Sequence, residues 1–241
     1  MREADRMDGA CGVILCGGKS RRMGRDKALL ALSAQDPAQG QAAASDQTLL
    51  GRTIGVLEPL ARELWLACGS EPRYGEFQRT TGSPGIEQAL DVFEGAGPLG
   101  GLHAGLVRAR TEWVMLAACD LPRLETGLYR ALLERAREAQ WDVCSLQTEG
   151  TEGPREQPSI AVLRRTVLES VAKALGDGRR RLDAFHRGAT AEGRPLRVGT
   201  LGEDQLPAGL RGRELARNLN TADDLARERV QLQHKRREVA G

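Results

Sequence analysis

Short, unbroken apolar runs recur along this chain, and they limit its fold more than any other feature of the sequence. The clearest are Gly12-Val13-Ile14-Leu15, which Gly17-Gly18 closes, and Trp113–Ala118, which Cys119-Asp120 closes. A continuous apolar run of this length indicates a strand that is buried on both faces, as in a parallel sheet. Further runs predict strands at Leu64–Ala67, Asp142–Leu146 and Ser159–Leu163.

Apolar residues at helical spacing lie between these runs. The spacing predicts helices over Thr48–Ala61, from Gly97 to about Arg108, from Leu128 to Ala139 and over Arg164–Leu175. The stretch Pro84–Val92 predicts a loop with a short helix or a strand edge. Strands that alternate with helices in this way predict an α/β fold with a mostly parallel central sheet.

The distribution of polar residues predicts one domain over residues 10–226. Residues 1–9 are polar and carry no pattern, so we expect a loose N-terminus. Residues 33–47 are rich in Ala, Gln, Ser and Asp and lack bulky apolar side chains, which predicts a mobile loop. Residues 227–241 are expected to form a polar helix or tail.

Composition excludes several classes of function. Aromatic residues make up only 3% of the chain, too few for stacking on single-stranded nucleic acid, and the net charge of +2 lacks a clear basic excess. The five cysteines are scattered without a C-x-x-C pair, which favours buried free thiols in a reducing compartment. The longest early apolar run is too short for a signal peptide or a membrane span. We therefore expect a cytoplasmic protein that binds neither nucleic acid nor membrane.

Ligands of open parallel sheets bind beyond the carboxyl ends of the strands, which is where Gly17-Gly18 and Asp120 both fall. The sequence Gly18-Lys19-Ser20 does not complete a P-loop, because the pattern G-x-x-x-x-G-K-[ST] would require glycine at the position of Val13. The dinucleotide-binding fingerprint also fails, since no third glycine follows at the required spacing.

The segment Leu15–Lys27 nevertheless has the composition of a triphosphate-binding loop. Its three glycines allow backbone amides to approach phosphate oxygens without a Cβ in the way. Its basic side chains can neutralise the phosphate charge; they are Lys19, Arg21, Arg22, Arg25 and Lys27. A solvated strand-to-helix turn is the structural alternative, and the concentration of glycine and basic residues at one strand end favours nucleotide binding over it.

A carboxylate at the end of a buried strand is costly unless it is paired or bound to metal. For Asp120 we predict Mg²⁺, which takes carboxylate oxygens and bridges to substrate phosphates; a turn or N-cap role is the alternative. Asp91 is a second candidate for contact with nucleotide or metal. Asn218 and Asn220 supply two amides for a polar ligand beside a helix start, and Arg180, within an arginine triplet, could hold a second phosphate.

These motifs together resemble the molybdenum cofactor guanylyltransferase (MobA-type) family. The family's opening signature, L-x-G-G-x-S-x-R-M-G-x-D-K-x-L-L, is present at Leu15–Leu30, and its G-P-L-x-G loop is present at Gly97–Gly101. Its C-D-x-P strand end matches Cys119–Pro122, its proline-containing strand matches Gln157–Ile160, and its N-x-N-T-x-x-D/E-L terminus matches Asn218–Leu225. The match runs in order from Cys11 to about Ala226.

The resemblance implies a three-layer Rossmann-like nucleotidyltransferase fold and the joining of GMP from GTP to the terminal phosphate of molybdopterin, with release of pyrophosphate. It implies Mg²⁺ at Asp120 and catalytic roles for Arg22, Lys27 and Asp120. It further implies a nucleotide site formed by Leu15, Cys16, Gly17, Gly18, Lys27, Asp91, Gly97, Pro98, Leu99 and Asp120, and a molybdopterin side formed by Asn218, Asn220 and Arg180. The partners would be GTP, molybdopterin and, transiently, enzymes that make or accept the cofactor.

Three alternatives remain open. A cytidylyltransferase acting on the same pterin typically has an Ala-Ala-Gly opening and lacks the Gly-Pro-Leu loop. A sugar-phosphate nucleotidyltransferase would leave the asparagine motif unexplained, and a non-catalytic cofactor-delivery protein would not need both Lys27 and Asp120. Two departures from the family pattern concern the residues that would select the nucleotide base. Cys68-Gly69-Ser70 occupies the region where some members carry an asparagine for the nucleotide, and Cys16 replaces the common alanine.

Overall fold

The computed structural model describes residues 9–18, 26–32, 47–78, 85–93, 95–221 and 223–231. The strands are β1 (Ala10–Leu15), β2 (Ala61–Gly69), β3 (Gly85–Leu90), β4 (Trp113–Ala118), β5 (Val143–Gly150), β6 (Gly153–Arg164) and β7 (Val198–Gly202). The helices are α1 (Leu49–Leu57), α2 (Gly97–Arg108), α3 (Thr126–Glu138), α4 (Leu168–Gly176) and α5 (residues 223–231).

The seven described strands form one sheet in the order β3-β2-β1-β4-β6-β5-β7. β1 pairs in parallel with β2 on one side and with β4 on the other, and β2 pairs in parallel with β3. Only β6 runs against its neighbours, since it is antiparallel to both β4 and β5, while β5 and β7 are parallel. The mostly parallel α/β sheet predicted from the sequence is therefore confirmed.

Helices cover both faces of the sheet and give three layers. The first core packs α1 and α3 on one face, with Leu50 and Leu132 against strand residues such as Ile14 and Met115. The second core packs α2 and α4 on the opposite face, where Leu102 and Val171 meet the other strand residues. All five cysteines are buried free thiols, as expected from their positions.

Several element bounds differ from the prediction. Pro84–Val92, expected to be a loop with a short helix or a strand edge, contains the edge strand β3. The helix predicted over Thr48–Ala61 ends at Leu57 and continues as a 3₁₀ turn that contains Pro59, because proline lacks the amide that an α-helix requires. Arg164 belongs to β6, and the predicted helix that follows it starts with a 3₁₀ turn before α4.

The C-terminal segment returns to the beginning of the chain. Leu219 and Leu225 form a small core with Leu32 and Leu49. Thr221 caps α5, since its Oγ1 accepts from the Asp224 amide at 3.1 Å and its own amide donates to Asp224 Oδ2 at 2.9 Å. The helix start expected beside Asn218 and Asn220 is thus present.

Other predictions fall outside the described residues. These are the loose N-terminus up to residue 8, the loop over residues 33–46 and the tail after residue 231. The residues that flank this stretch are described and contact each other: Ala31 and Thr48 form an antiparallel bridge, and the Leu32 amide donates to the Gln47 carbonyl at 3.0 Å.

The described helices include none that is long and apolar enough to cross a bilayer.

Close packing of α2 on β1 gives a test of the fold. A Cβ added at Gly105 would lie 2.5 Å from Val13 Cγ2, so we expect Gly105→Ala to lower the free energy of unfolding. Overpacking of this kind costs about 1–3 kcal/mol. A Cβ added at Gly55 on α1 meets nothing within 4 Å, so Gly55→Ala should stabilise the protein by roughly 0.5–1 kcal/mol through helix propensity. Urea unfolding of both variants would measure the opposite signs, and equal effects would contradict the α2–β1 contact.

Candidate active site

The carboxyl ends of β1, β2, β3 and β4 meet at one edge of the sheet. β1 lies at a topological switch point, because the chain leaves it toward β2 on one side and later returns to β4 on the other. The Cys119 amide donates to the Leu15 carbonyl at 3.1 Å, and the Cys16 amide donates to the Ala67 carbonyl at 3.0 Å. A crevice at such a point is where open α/β sheets bind ligands.

Gly17 can follow β1 only because it has no side chain. A Cβ there would lie 2.6 Å from the Gly69 amide nitrogen and 2.7 Å from the Cys68 carbonyl carbon, and both of these are backbone atoms that cannot rotate away. Gly18 is exposed, and no atom of the described residues lies within 4 Å of the corresponding position. The backbone of the first glycine is thus held against β2, while that of the second is open to a ligand.

Lys27 joins three distant parts of the chain. Asp26 starts the 3₁₀ turn Lys27–Leu29, since its Oδ1 accepts from the Ala28 amide at 3.1 Å. From this turn the Lys27 ammonium nitrogen reaches Asn220 Oδ1 at 3.2 Å and Asp120 Oδ2 at 3.7 Å. The Leu219 amide also donates to the Asp120 carbonyl at 3.1 Å. The structure therefore brings together Lys27, Asp120 and Asn220, three residues that the sequence placed in one site.

Burial raises the pKa of the Asp120 carboxyl, although the nearby Lys27 ammonium lowers it. Burial thus outweighs the effect of the Lys27 ammonium on the Asp120 carboxyl. No cluster of three or more His, Cys, Asp or Glu side chains suited to a metal occurs among the described residues. The Asp120 carboxylate as a ligand fits Mg²⁺, because this ion keeps most of its water and binds through one or two carboxylates together with substrate phosphates.

Asp91 stands at the end of β3 and against the first turns of α2. Its amide donates to the Gly69 carbonyl at 2.8 Å, and its Oδ2 would lie 3.1 Å from a Cβ added at Gly100. Oδ1 is buried and has no hydrogen-bond partner among the described residues. Burial accordingly raises the pKa of Asp91. A buried acceptor without a donor is expected where a ligand supplies the missing N–H or O–H.

The Gly-Pro-Leu sequence forms the first turn of α2. Gly97 has φ of +63° and is exposed, as is Pro98, which has no backbone N–H to donate. The Leu99 side chain is fully buried in the core, which leaves only its backbone for a ligand. The Arg180 carbonyl would lie 3.9 Å from a Cβ on Gly97, while the Arg180 guanidinium donates to the Leu175 carbonyl at 3.1 Å.

The remaining predicted site residues occupy different settings. Leu15 is half-buried at the end of β1, and Asn218 is exposed beside Leu219. Cys16 is buried with its sulfur 3.8 Å from that of Cys68. A side-chain hydrogen bond with Cys68 and burial raise the pKa of Cys16. Arg22 lies outside the described residues, so its catalytic role stays a prediction.

Sequence reasoning missed the group that supports Lys27. Tyr74 donates to Asp26 Oδ2 at 2.8 Å, and Arg73 Nη2 lies 3.5 Å from the same oxygen. The Arg-Tyr pair follows β2 without any motif, and no spacing rule links it to Asp26. The one available signal was the aspartate itself, directly before the lysine of the glycine-rich segment.

The arrangement can bind a polyphosphate and offset its charge. The exposed Gly18 lies at this sheet edge, and the Lys27 ammonium contacts both the Asp120 carboxylate and the Asn220 side-chain oxygen. No histidine takes part in these contacts. Such a site suits the transfer of a phosphorus group between nucleophiles that are already anionic.

Comparison with known proteins gives consistent results. A family model described as MobA-like NTP transferase domain matches residues 12–191. A probable molybdenum cofactor guanylyltransferase of Pelotomaculum thermopropionicum is 30% identical over 229 residues, which cover 94% of this chain and 95% of the relative. The molybdenum cofactor guanylyltransferase of Yersinia pseudotuberculosis is 31% identical over 175 residues, covering 72% of this chain and 78% of the relative.

Solved structures agree on the fold. The molybdopterin-guanine dinucleotide biosynthesis protein A of Archaeoglobus fulgidus superposes with a TM-score of 0.68 at 19% identity, covering 93% of this chain and 99% of that one. The 4-diphosphocytidyl-2C-methyl-D-erythritol synthase of Anaerococcus prevotii gives a TM-score of 0.63 at 10% identity, with 93% and 98% covered. At these identities the likeness shows a shared fold and nothing more. One of the two structures is named for a guanine dinucleotide and the other for a cytidyl compound, so the fold does not distinguish the two bases.

The Asp91 Oδ1 atom, which lacks a hydrogen-bond partner among the described residues, predicts a stability effect with a definite pH dependence. The folded protein raises the pKa of Asp91, so above that pKa the ionised carboxylate destabilises the folded state. Asp91→Asn should therefore raise the melting temperature of the nucleotide-free protein at pH 7. The difference should shrink as the pH falls through the folded pKa and vanish below about 4, where Asp91 is protonated in both states. A variant that is less stable than the wild type at pH 7 would show that the carboxylate is paired.

Proposed function

Because this chain belongs to the MobA-like NTP transferase family, we propose that it is a molybdenum cofactor guanylyltransferase. The reaction joins GMP from GTP to the terminal phosphate of molybdopterin and releases pyrophosphate. GTP and molybdopterin are its substrates, and transient contact with enzymes that make or accept the cofactor belongs to the same proposal, as does a cytoplasmic location. The observation that carries the proposal is the meeting of Lys27, Asp120 and Asn220 at one sheet edge.

The attacking group in this reaction needs no deprotonation. The terminal phosphate of molybdopterin is an anion at neutral pH, and one of its oxygens forms a bond to the α-phosphorus of GTP while the bond to the bridging oxygen of pyrophosphate breaks. Catalysis then depends on holding two anions in line and on offsetting the charge of the leaving group. The contacts of Lys27 with both Asp120 and Asn220 support a position of its ammonium between the proposed nucleotide side and the proposed pterin side.

A divalent cation completes the charge balance. Asp120 would hold Mg²⁺, which acts as a Lewis acid on the phosphates when it is bound. The partly exposed Asp120 carboxylate, whose pKa is raised by burial despite Lys27, supports this assignment. The buried Asp91 oxygen without a donor would accept from a base amino group or a ribose hydroxyl. The chain's own residues thus bind and orient the two anions.

Direct assay tests the proposal. Wild-type protein incubated with molybdopterin, Mg²⁺ and each of GTP, CTP and ATP should give a dinucleotide product with GTP. Formation of the cytosine dinucleotide instead would establish the cytidylyltransferase alternative. Nucleotide binding without any product from the three would support a delivery protein.

Nucleotide preference should also appear as a difference in thermal stability. A ligand present at about 100 times its dissociation constant stabilises a protein by roughly 2.7 kcal/mol, or about 5–10 °C for a chain of this size. We expect GTP with Mg²⁺ to raise the melting temperature by such an amount and CTP or ATP at the same concentration to raise it less. Equal shifts with all three nucleotides would refute the guanine preference.

Asp120→Asn should remove guanylyl transfer and leave the fold intact. Loss of an anionic metal ligand at a site of developing charge is expected to lower the rate by at least about 100-fold. Raising the Mg²⁺ concentration should restore part of the rate if the carboxylate binds metal. Asp204→Asn, at an exposed position after β7, is the matched control and should keep wild-type activity and Mg²⁺ dependence. Full activity of the Asp120 variant would overturn the metal assignment.

A further inference from the structure

Tyr74 connects the two ends of the glycine-rich segment through one oxygen atom. Its hydroxyl lies 3.0 Å from the Cys16 carbonyl oxygen, just after β1, and 2.8 Å from Asp26 Oδ2, just before Lys27. The hydroxyl has a single hydrogen, which these two acceptors share. The contacts join residues that lie on either side of the sequence Gly17–Arg25, and they do so from a third position between β2 and β3.

The backbone of Tyr74 is held in an unusual conformation. Its φ of 60° places it in the left-handed region, which is unfavourable for a residue with a Cβ. The side chain is only 5% exposed and packs in the core that contains α1 and α3. A residue persists in a strained conformation only where its surroundings over-determine it, and such residues are concentrated at functional sites.

Asp26 connects the Tyr74 hydroxyl to the 3₁₀ turn that contains Lys27. Its two carboxylate oxygens make separate contacts, since Oδ1 accepts from the Ala28 amide and starts the 3₁₀ turn, while Oδ2 faces Tyr74 and Arg73. Lys27 is the next residue, and from this turn its ammonium reaches Asp120 and Asn220. The path from the end of β1 to the ammonium group therefore runs through the Tyr74 hydroxyl and the Asp26 carboxylate.

We propose that Tyr74 is a positioning residue for guanylyl transfer, because its hydroxyl fixes the Asp26–Lys27 turn against the end of β1 and thereby sets where the Lys27 ammonium stands. This inference rests on the function proposed above and extends it to a residue that touches neither substrate. Burial, and then Asp26, raise the pKa of Tyr74, so the hydroxyl stays a donor throughout the neutral range. Replacing Tyr74 would leave Lys27 present and remove the hydrogen bond that ties the preceding residue to the end of β1.

The chain offers a matched control, because it contains only two tyrosines. Tyr129 on α3 is fully buried, and its hydroxyl donates to the Leu116 carbonyl at 3.0 Å. Tyr74→Phe and Tyr129→Phe therefore each remove one buried hydroxyl that donates to a backbone carbonyl. Only the first also removes a hydrogen bond to the residue that precedes Lys27.

The experiment measures kcat/KM for guanylyl transfer, the dissociation constant of GTP and the melting temperature for both variants. We expect Tyr74→Phe to lower kcat/KM about tenfold and to weaken GTP binding, since one hydrogen bond to a charged group is lost. Tyr129→Phe should lower the melting temperature and leave kcat/KM and GTP affinity unchanged. Wild-type kinetics and GTP affinity in Tyr74→Phe would overturn the proposal and leave Tyr74 a structural residue.

A double-mutant cycle tests whether the effect of Tyr74→Phe on GTP affinity depends on Lys27. In a Lys27→Met background, the further change Tyr74→Phe should alter the dissociation constant little, because the group that it positions is gone. Effects that multiply would show that Tyr74 acts independently of Lys27 and would contradict the proposal. If Tyr74→Phe does not fold, Asp26→Asn tests the same link: it keeps an oxygen for the Ala28 amide, removes the charge that Tyr74 faces, and should weaken GTP binding.

These experiments distinguish failure of the Tyr74 positioning role from failure of the proposed guanylyltransferase function. A wild-type protein that binds GTP but transfers no guanylyl group would refute the function, while the binding cycle would still test the role of Tyr74. An active wild type with an unaffected Tyr74 variant would refute only the positioning role.

Discussion

The parallel pairing of β1 with β2 on one side and β4 on the other is the constraint on which the rest of the molecule depends. A strand in the middle of a parallel sheet has both backbone edges occupied and both faces covered, so its side chains must be apolar. Its neighbours then end at the same edge, and the loops that leave them are forced together. The crevice holding Gly17, Lys27 and Asp120 follows from this geometry, and the same chain order places it at the switch point.

Charge is arranged at this edge in a way that costs stability. Asp91 and Asp120 both have raised pKa values because burial disfavours their ionised forms, and Lys27 only partly offsets the effect at Asp120. An optimised apolar fold would carry neither carboxylate. Under the function proposed above, a cation and a nucleotide would supply positive charge and hydrogen-bond donors to these two carboxylates. The remaining stability is supplied by the two cores on either side of the sheet.

The sequence predicted what depends on local pattern or on the geometry of parallel strands. The run Trp113–Ala118 is β4 to the residue, and Asp120 with Lys27 could be placed at one edge because parallel strands end together. β3 was harder to predict, because an edge strand has only partial burial and weak patterning. Contacts between residues far apart in sequence, such as Tyr74 with Asp26, leave no periodic signal. The roles of Arg22 and of the 33–46 stretch stay predictions.

The contact between Lys27 and Asn220 has a consequence for the order in which the protein is made. The two residues are 193 positions apart, and the Leu219 amide also donates to the Asp120 carbonyl, so two contacts at the sheet edge that holds Lys27 and Asp120 depend on a segment that leaves the ribosome late. A nascent chain that already contains β1 to β4 has Gly17, Lys27 and Asp120, yet it lacks the Asn220 side chain that Lys27 contacts. The contact between Lys27 and Asn220 can therefore form only after residue 220 has been synthesised.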